Sequence, residues 1–298
     1  MVWLTFLPAV LTIALGAVLG EVRTPLHPAW TARLLATVAG ATAVTAIGTL
    51  VFVTVNYAAT LLPGPAEHLP EWALFGDDSP VHAGLGVPAA ALACACAAGL
   101  GRLAVRSVRE TRTARRTARR VLDSDEPLAL AVPGRGGGVL VSRGLMRALD
   151  RDQLRVVFQH EASHLRHRHH RYLALGALAA GTVPVLRRLN ARLRFTLERW
   201  ADEDAAEAVG DRALVARTIA QVALAAAPSA RSAAAAPRPP FPAFSGSGVV
   251  QRVEALLATP PAKNPVTGPV TLTGAGLATG GMALIAWQLD HALGIPFL

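Results

Sequence analysis

The fold class that the sequence predicts is a mainly α, polytopic membrane protein with about four transmembrane helices and a cytoplasmic domain carrying a short β-hairpin. Three observations predict it. Of the 298 residues, 52% are hydrophobic and only 16% charged, against about a quarter charged in ordinary soluble domains. The apolar residues fall into long runs free of ionisable side chains. The charged residues gather between those runs, with a sign that alternates along the chain.

The runs come first. Residues 2–20, 34–62 and 83–101 contain no Asp, Glu, Lys, Arg or His, and residues 266–289 form a similar stretch. Each is long enough to cross a hydrocarbon core of about 30 Å at about 1.5 Å per residue. Three helices are therefore expected at 2–20, 34–62 and 83–105, and a fourth within 265–298. Met1-Val2-Trp3 offers no positively charged start, so the first run is read as an uncleaved span.

Charge then sets the expected orientation. Eight arginines and one glutamate lie between Arg102 and Arg120, whereas the loop at 63–81 carries Glu67, Glu71, Asp77 and Asp78 and no Lys or Arg. The positive-inside bias puts the arginines in the cytoplasm and the acidic loop outside. The N-terminus is then outside, residues 106–264 form a cytoplasmic domain, and the chain is a multi-pass protein of the cell membrane. A net charge of +9 reads as a topology signal lying on anionic lipid, so the bilayer is an expected partner and direct nucleic-acid binding is not. Cys94 and Cys96, two apart within a span, point to different helical faces and read as small apolar fillers, neither a disulfide nor a metal pair.

Within the cytoplasmic part, "DSDEP" breaks the basic helix and "LALAVPGRGGGVLVS" reads as two short strands around a Gly-rich turn. A helix is expected to start at Asp150, with Gln153 completing a capping box. Residues 172–186, "YLALGALAAGTVPVL", are uncharged but too short and too interrupted to span. They are expected to form a buried helix or a re-entrant hairpin. Further helices are expected near Arg194 and over 213–227, with a Pro/Ala-rich linker at 225–248.

The stretch "VVFQHEASHLRHRHH", residues 156–170, holds five of the nine histidines. On a helix Leu154, Val157, Phe158 and Leu165 share one face with Glu161 in its middle, and a carboxylate there is too costly to be accidental packing. His160 and His164 flank it one turn apart. His160-Glu161-Ala162-Ser163-His164 is the pattern H-E-x-x-H, in which two imidazoles meet one zinc ion and the glutamate is placed to take a proton from water that the ion polarises. A catalytic zinc keeps three protein ligands and one open position. In "LERWADEDAAEAV", Glu198 and Asp202 lie i, i+4, so Glu198 can be the third ligand while Asp202 accepts the free ring N–H of a zinc-bound histidine. Glu203, Asp204 and Glu207 read as solvated charges, and His167, His169 and His170 as surface or interfacial groups at the helix end.

With these residues in hand, the sequence resembles the integral-membrane gluzincins, especially the BlaR/MecR-type peptidases and, more distantly, the Ste24/HtpX-like ones. "VLVSRGLMRALDRDQLRVVFQHEASH" is similar to their strand, turn and active-site helix, and "ERWADEDA" to their E-x-x-A-D-x-x-A element. The resemblance covers about 132–210. It implies a gluzincin-like zinc peptidase domain with His160, His164 and Glu198 as zinc ligands, Glu161 as catalytic base and Asp202 as the ligand-orienting carboxylate. Two departures stand out. Gln159 occupies a position where a small apolar residue is usual. The sequence ends nine residues after Leu289, so the extracellular penicillin-binding sensor of the antibiotic-responsive members is expected to be absent.

The leading expectation is thus a membrane-bound zinc endopeptidase acting at the cytoplasmic face, with a substrate strand lying along residues 139–142 as in β-augmentation. The resemblance further implies regulatory proteolysis, with a winged-helix repressor as the protein substrate. The alternatives are a quality-control membrane protease and a non-hydrolytic zinc-binding signalling protein. A structural zinc would want a fourth protein ligand and have no use for Glu161. A transporter is weaker still, because the first three runs lack intramembrane ionisable residues.

Overall fold

The computed structural model describes residues 6–62, 64, 68, 81–133, 137–225 and 246–293. The acidic loop at 63–81 and the linker at 225–248 fall almost wholly outside the described residues. In chain order the elements are α1 (Leu7–Glu21), α2 (Pro28–Leu61), α3 (Ala83–Leu122), β1 (Ala129–Val132), β2 (Gly138–Val141), α4 (Arg143–Ala148), α5 (Arg151–Arg166) and α6 (His169–Thr182). After a 3-10 turn at Pro184–Leu186 come α7 (Arg187–Val209), α8 (Arg212–Ala225), α9 (Gly246–Leu257) and α10 (Thr267–Leu293).

The expected four spans become two. Among the described residues, α2 and the 83–105 part of α3 are long and apolar enough to cross a bilayer. Among the described residues the first run forms the 15-residue α1, about 22 Å long against a hydrocarbon core of about 30 Å. The last run forms the 27-residue α10, whose first half, "TGPVTLTGAGLATGG", is rich in Gly and Thr.

Nor is α2 an isolated membrane helix. Leu34, Leu35 and Val38 on its N-terminal half pack with Leu186, Leu189, Leu193, Leu197 and Trp200 in one buried cluster. The Arg33 guanidinium lies 4.5 Å from the Trp30 ring centroid and 5.0 Å from that of Trp200, within cation–π range. The head of α2 is therefore clamped to α7. Segment 172–186 falls in α6 and the 3-10 turn that follows. It is too short to span, and Gly176 lies against Asn190 and Leu193, so α7 runs back along α6. The second helix expected near Arg194 begins earlier, at Arg187, directly after that turn.

The hairpin forms as expected, with Ala129 opposite Val141 and Val132 opposite Gly138 in antiparallel register. Ser142 locks it to α4. Its hydroxyl donates to the Glu126 carbonyl (2.6 Å) and accepts from the Leu128 and Leu145 amides (2.9 and 3.1 Å). The Asp150–Gln153 capping box that starts α5 is also present, at 2.8 and 3.1 Å.

Gly144, in the first turn of α4, is packed so closely that a Cβ there would lie 2.0 Å from the Asp125 carbonyl oxygen. Because the neighbour is backbone, it cannot rotate away. Gly144→Ala should destabilise the domain by about 1–3 kcal/mol, as overpacking does. Thermal unfolding of the two proteins in the same detergent checks this, and unchanged melting would show that the α3–β1 connection gives way freely.

Candidate metal centre

Helix α5 supplies the two histidines and α7 the two carboxylates, each pair one turn apart. The buried face of α5 is Val156, Val157, His160 and Ser163. Phe158 is 43% exposed and Glu161 half-buried. The buried stripe therefore centres on His160, not on Glu161 as the helical wheel suggested, because α7 covers α5 from the His160 side.

His160 Nε2 lies 3.2 Å from His164 Nε2 and 3.5 Å from Glu198 Oε2, and His164 Nε2 lies 3.6 Å from Glu198 Oε1. Ligand atoms at zinc bond lengths of about 2.0–2.2 Å in tetrahedral directions sit roughly 3.3 Å apart. The triangle has that size. Among the described residues, this trio is the group of donors close enough to share one metal ion.

Asp202 lies beneath the triangle. It is fully buried, and its Oδ1 is 3.1 Å from His160 Nδ1. Sequence reasoning missed what balances it: Arg252 of α9. The guanidinium donates to both Asp202 oxygens, Nε to Oδ2 at 2.8 Å and Nη2 to Oδ1 at 2.6 Å, while Nη1 lies 3.1 Å from Glu198 Oε2. A signal existed in the sequence. Arg252 falls between Val249 and Leu256 on the buried stripe of α9, where an arginine needs a partner as much as Glu161 was thought to.

The electrostatics fit a cation. Burial alone would lower the His160 imidazole, but its hydrogen bonds with Asp202 and Glu198 outweigh that and push it up to about 10. Burial alone would raise Asp202, yet the Arg252 charge holds it below the usual carboxylate range. Glu198 is likewise depressed, through His160, His164 and Arg252 against the cost of its burial. Two carboxylates, Asp202 wholly and Glu198 mostly buried, face one guanidinium and leave one negative charge, which a proton on His160 offsets. A metal ion would displace that proton, as ligand binding to metals generally does. Burial lowers His164 and keeps it neutral, as a ligand must be. The Glu161 charge is felt at both His164 and Arg252, so its carboxylate belongs to the same site.

Three surface assignments need correction. His169 is 1% exposed, with Nδ1 2.8 Å from His164 Nδ1, and burial pushes its pKa down to about 2. Asp204 accepts from the Ser163 hydroxyl (2.7 Å) and lies 2.9 Å from His167 Nε2, whereas His170 is exposed as expected. Glu203 is buried between Arg199 (2.6 Å) and Arg212, and Arg212 also donates to the Ala255 and Leu256 carbonyls, which docks the end of α9. Only Glu207 of the three acids is exposed, paired with Lys263. A 23-residue helix with domain on several sides has no fully solvated face.

Residues 100–237 match the model of peptidase family M48. That match points to a metallopeptidase, of a family typically zinc-dependent. It spans the hairpin, α5 and the Glu198–Asp202 turn of α7, and ends before Arg252. No curated protein and no solved structure matches the chain.

Removing Arg252 leaves a buried carboxylate uncompensated, so Arg252→Ala should cost about 3–5 kcal/mol, read as a fall in thermal stability. Glu198→Ala should lose bound zinc outright and Asp202→Ala should weaken it about 10–100-fold. Zinc analysis after dialysis against a graded chelator checks both, and equal metal content in the two variants and the unaltered protein would place the ligands elsewhere.

Proposed function

We propose that this protein is a membrane-bound zinc-dependent endopeptidase that cleaves protein substrates at the cytoplasmic face, in regulatory proteolysis. The observation that carries the reading is the His160–His164–Glu198 triangle, three donors close enough to share one metal ion, the number of protein ligands that a catalytic zinc keeps, with Glu161 next in sequence to His160. Zinc held there would supply Lewis-acid polarisation of the scissile carbonyl and of the attacking water. Glu161 would take the proton from that water and return it to the departing amine. Asp202 fixes the His160 ring through Nδ1, and Arg252 keeps both carboxylates ionised and in place. The substrate backbone would pair with β2 along residues 139–142.

The cytoplasmic assignment rests on the arginines of 102–120 set against the acidic loop at 63–81. A cavity of about 1130 Å³ supports a juxtamembrane substrate. Its lining includes Glu198 and Arg252 of the metal centre together with Gly20, Thr24 and Thr31 around the α1–α2 turn. Chain segments emerging near the head of α2 would thus have a route to the site. The likeness to the BlaR/MecR-type peptidases favours a winged-helix repressor as the protein cleaved, while the likeness to the HtpX-like ones would favour quality control of membrane proteins.

Glu161→Gln separates binding from chemistry. It should retain zinc and lose hydrolysis of a peptide substrate, since the base is gone and the ligands remain. Hydrolysis at the unaltered rate would overturn the role of Glu161. The same variant decides breadth in cells: a regulatory protease should leave one or a few proteins uncleaved, a repressor among them. Broad accumulation of membrane proteins without a repressor would favour quality control instead.

A further inference from the structure

The two histidines of the metal centre are supported differently. His160 has Asp202 behind its Nδ1 at 3.1 Å. Behind His164 Nδ1 stands another imidazole, that of His169, at 2.8 Å, with ring centroids 4.8 Å apart and planes at 84°. The His164 Nε2 atom faces the triangle, so in the neutral ring the hydrogen is on Nδ1 and must be donated. His169 Nδ1 is then the acceptor, which puts the His169 hydrogen on Nε2. We propose that His169 is a positioning residue for the metal centre, accepting the His164 Nδ1–H and so fixing that ligand's tautomer and ring plane, as Asp202 does for His160.

Two independent features of the fold support it. The chain between α5 and α6 turns at Arg168, a non-glycine residue in the left-handed region (φ 55°, ψ 43°), a conformation that costs on the order of 1–2 kcal/mol. That turn starts α6 at His169 and folds its ring back over His164. The ring is then walled in by Trp200 and Tyr172, at centroid distances of 4.9 and 6.3 Å, with Trp200 itself held against Arg33 of α2. His169 Nε2 has no hydrogen-bond partner among the described residues. Burying a polar ring with one unsatisfied nitrogen is unfavourable for packing alone, and the contact its other nitrogen makes is the compensating gain.

The inference rests on the zinc reading of the triangle, and its test separates the two. An asparagine at 169 can place its side-chain oxygen where Nδ1 was, one bond from Cγ; a glutamine reaches instead toward the position of Nε2. Zinc dissociation constants would be measured by competition with a chromophoric chelator for the full-length protein and for His169→Asn, His169→Gln and His169→Leu, with metal-free thermal stability recorded for each. The expected result is a loss of zinc affinity of about 10–100-fold, as for other changes in residues that orient metal ligands, in the Gln and Leu variants, with Asn close to the unaltered protein. A folded Leu or Gln variant that binds zinc as tightly as the unaltered protein overturns the proposal. So does an Asn variant that loses as much as Leu, because a purely structural ring would not distinguish Asn from Gln by oxygen position. Should the unaltered protein bind no zinc at all, the reading of the triangle and this inference fall together; zinc binding that is indifferent to residue 169 removes this inference alone.

Discussion

The guanidinium of Arg252 sits against two carboxylates that would otherwise be intolerable where they are. Asp202 is wholly buried and Glu198 mostly so, and an ionised carboxylate without a partner in such surroundings costs several kcal/mol or gives up its charge. Arg252 meets Asp202 through two parallel N–H···O bonds and reaches Glu198 with its remaining nitrogen, a geometry that a lysine could not reproduce. With both acids held ionised, Asp202 can orient His160 and Glu198 can stand as a donor. The metal centre of α5 and α7 is thus completed from α9, about fifty residues further along the chain.

The long apolar helix α2 and the candidate site are joined at the head of α2. Leu34, Leu35 and Val38 share a buried cluster with the leucines of α7. Arg33 contacts Trp200, Trp200 contacts His167 and His169, and His169 contacts His164. Between Arg33 of the first long apolar helix and His164, a candidate metal ligand, the described contacts pass through two side chains, Trp200 and His169. Such close-packed contacts transmit displacement, and a shift of α2 would be felt first at the ring that supports His164.

Formal charge makes the same case for a cation. Glu161, Glu198 and Asp202 bring three negative charges to the site and Arg252 one positive charge. A divalent ion brings the total to zero, and a proton on His160, held by Asp202 and Glu198 against the cost of burial, is the partial substitute.

Local rules carried much of the outcome. The capping box at Asp150, the strands on either side of the Gly-rich turn, and the i, i+4 spacings of His160 with His164 and Glu198 with Asp202 depend on neighbours within a few residues, so the sequence by itself determined them. Hydropathy also marked α2 and α3, but a window of apolar residues does not distinguish a span from a shorter helix packed on protein, and four expected spans became two. Only the tertiary structure decided which face of α5 is buried, because that depends on where α7 lies across it. It alone brought Arg252 under Asp202, since pairing across fifty residues leaves no local periodic trace beyond a charge on an apolar stripe. It alone turned His169 inward, buried Glu203 and paired Asp204 with Ser163 and His167, because a left-handed residue at Arg168 and the docking of α9 on α7 follow from packing the whole domain. The residue pairs of the candidate metal centre were local and legible; their support was long-range and was not.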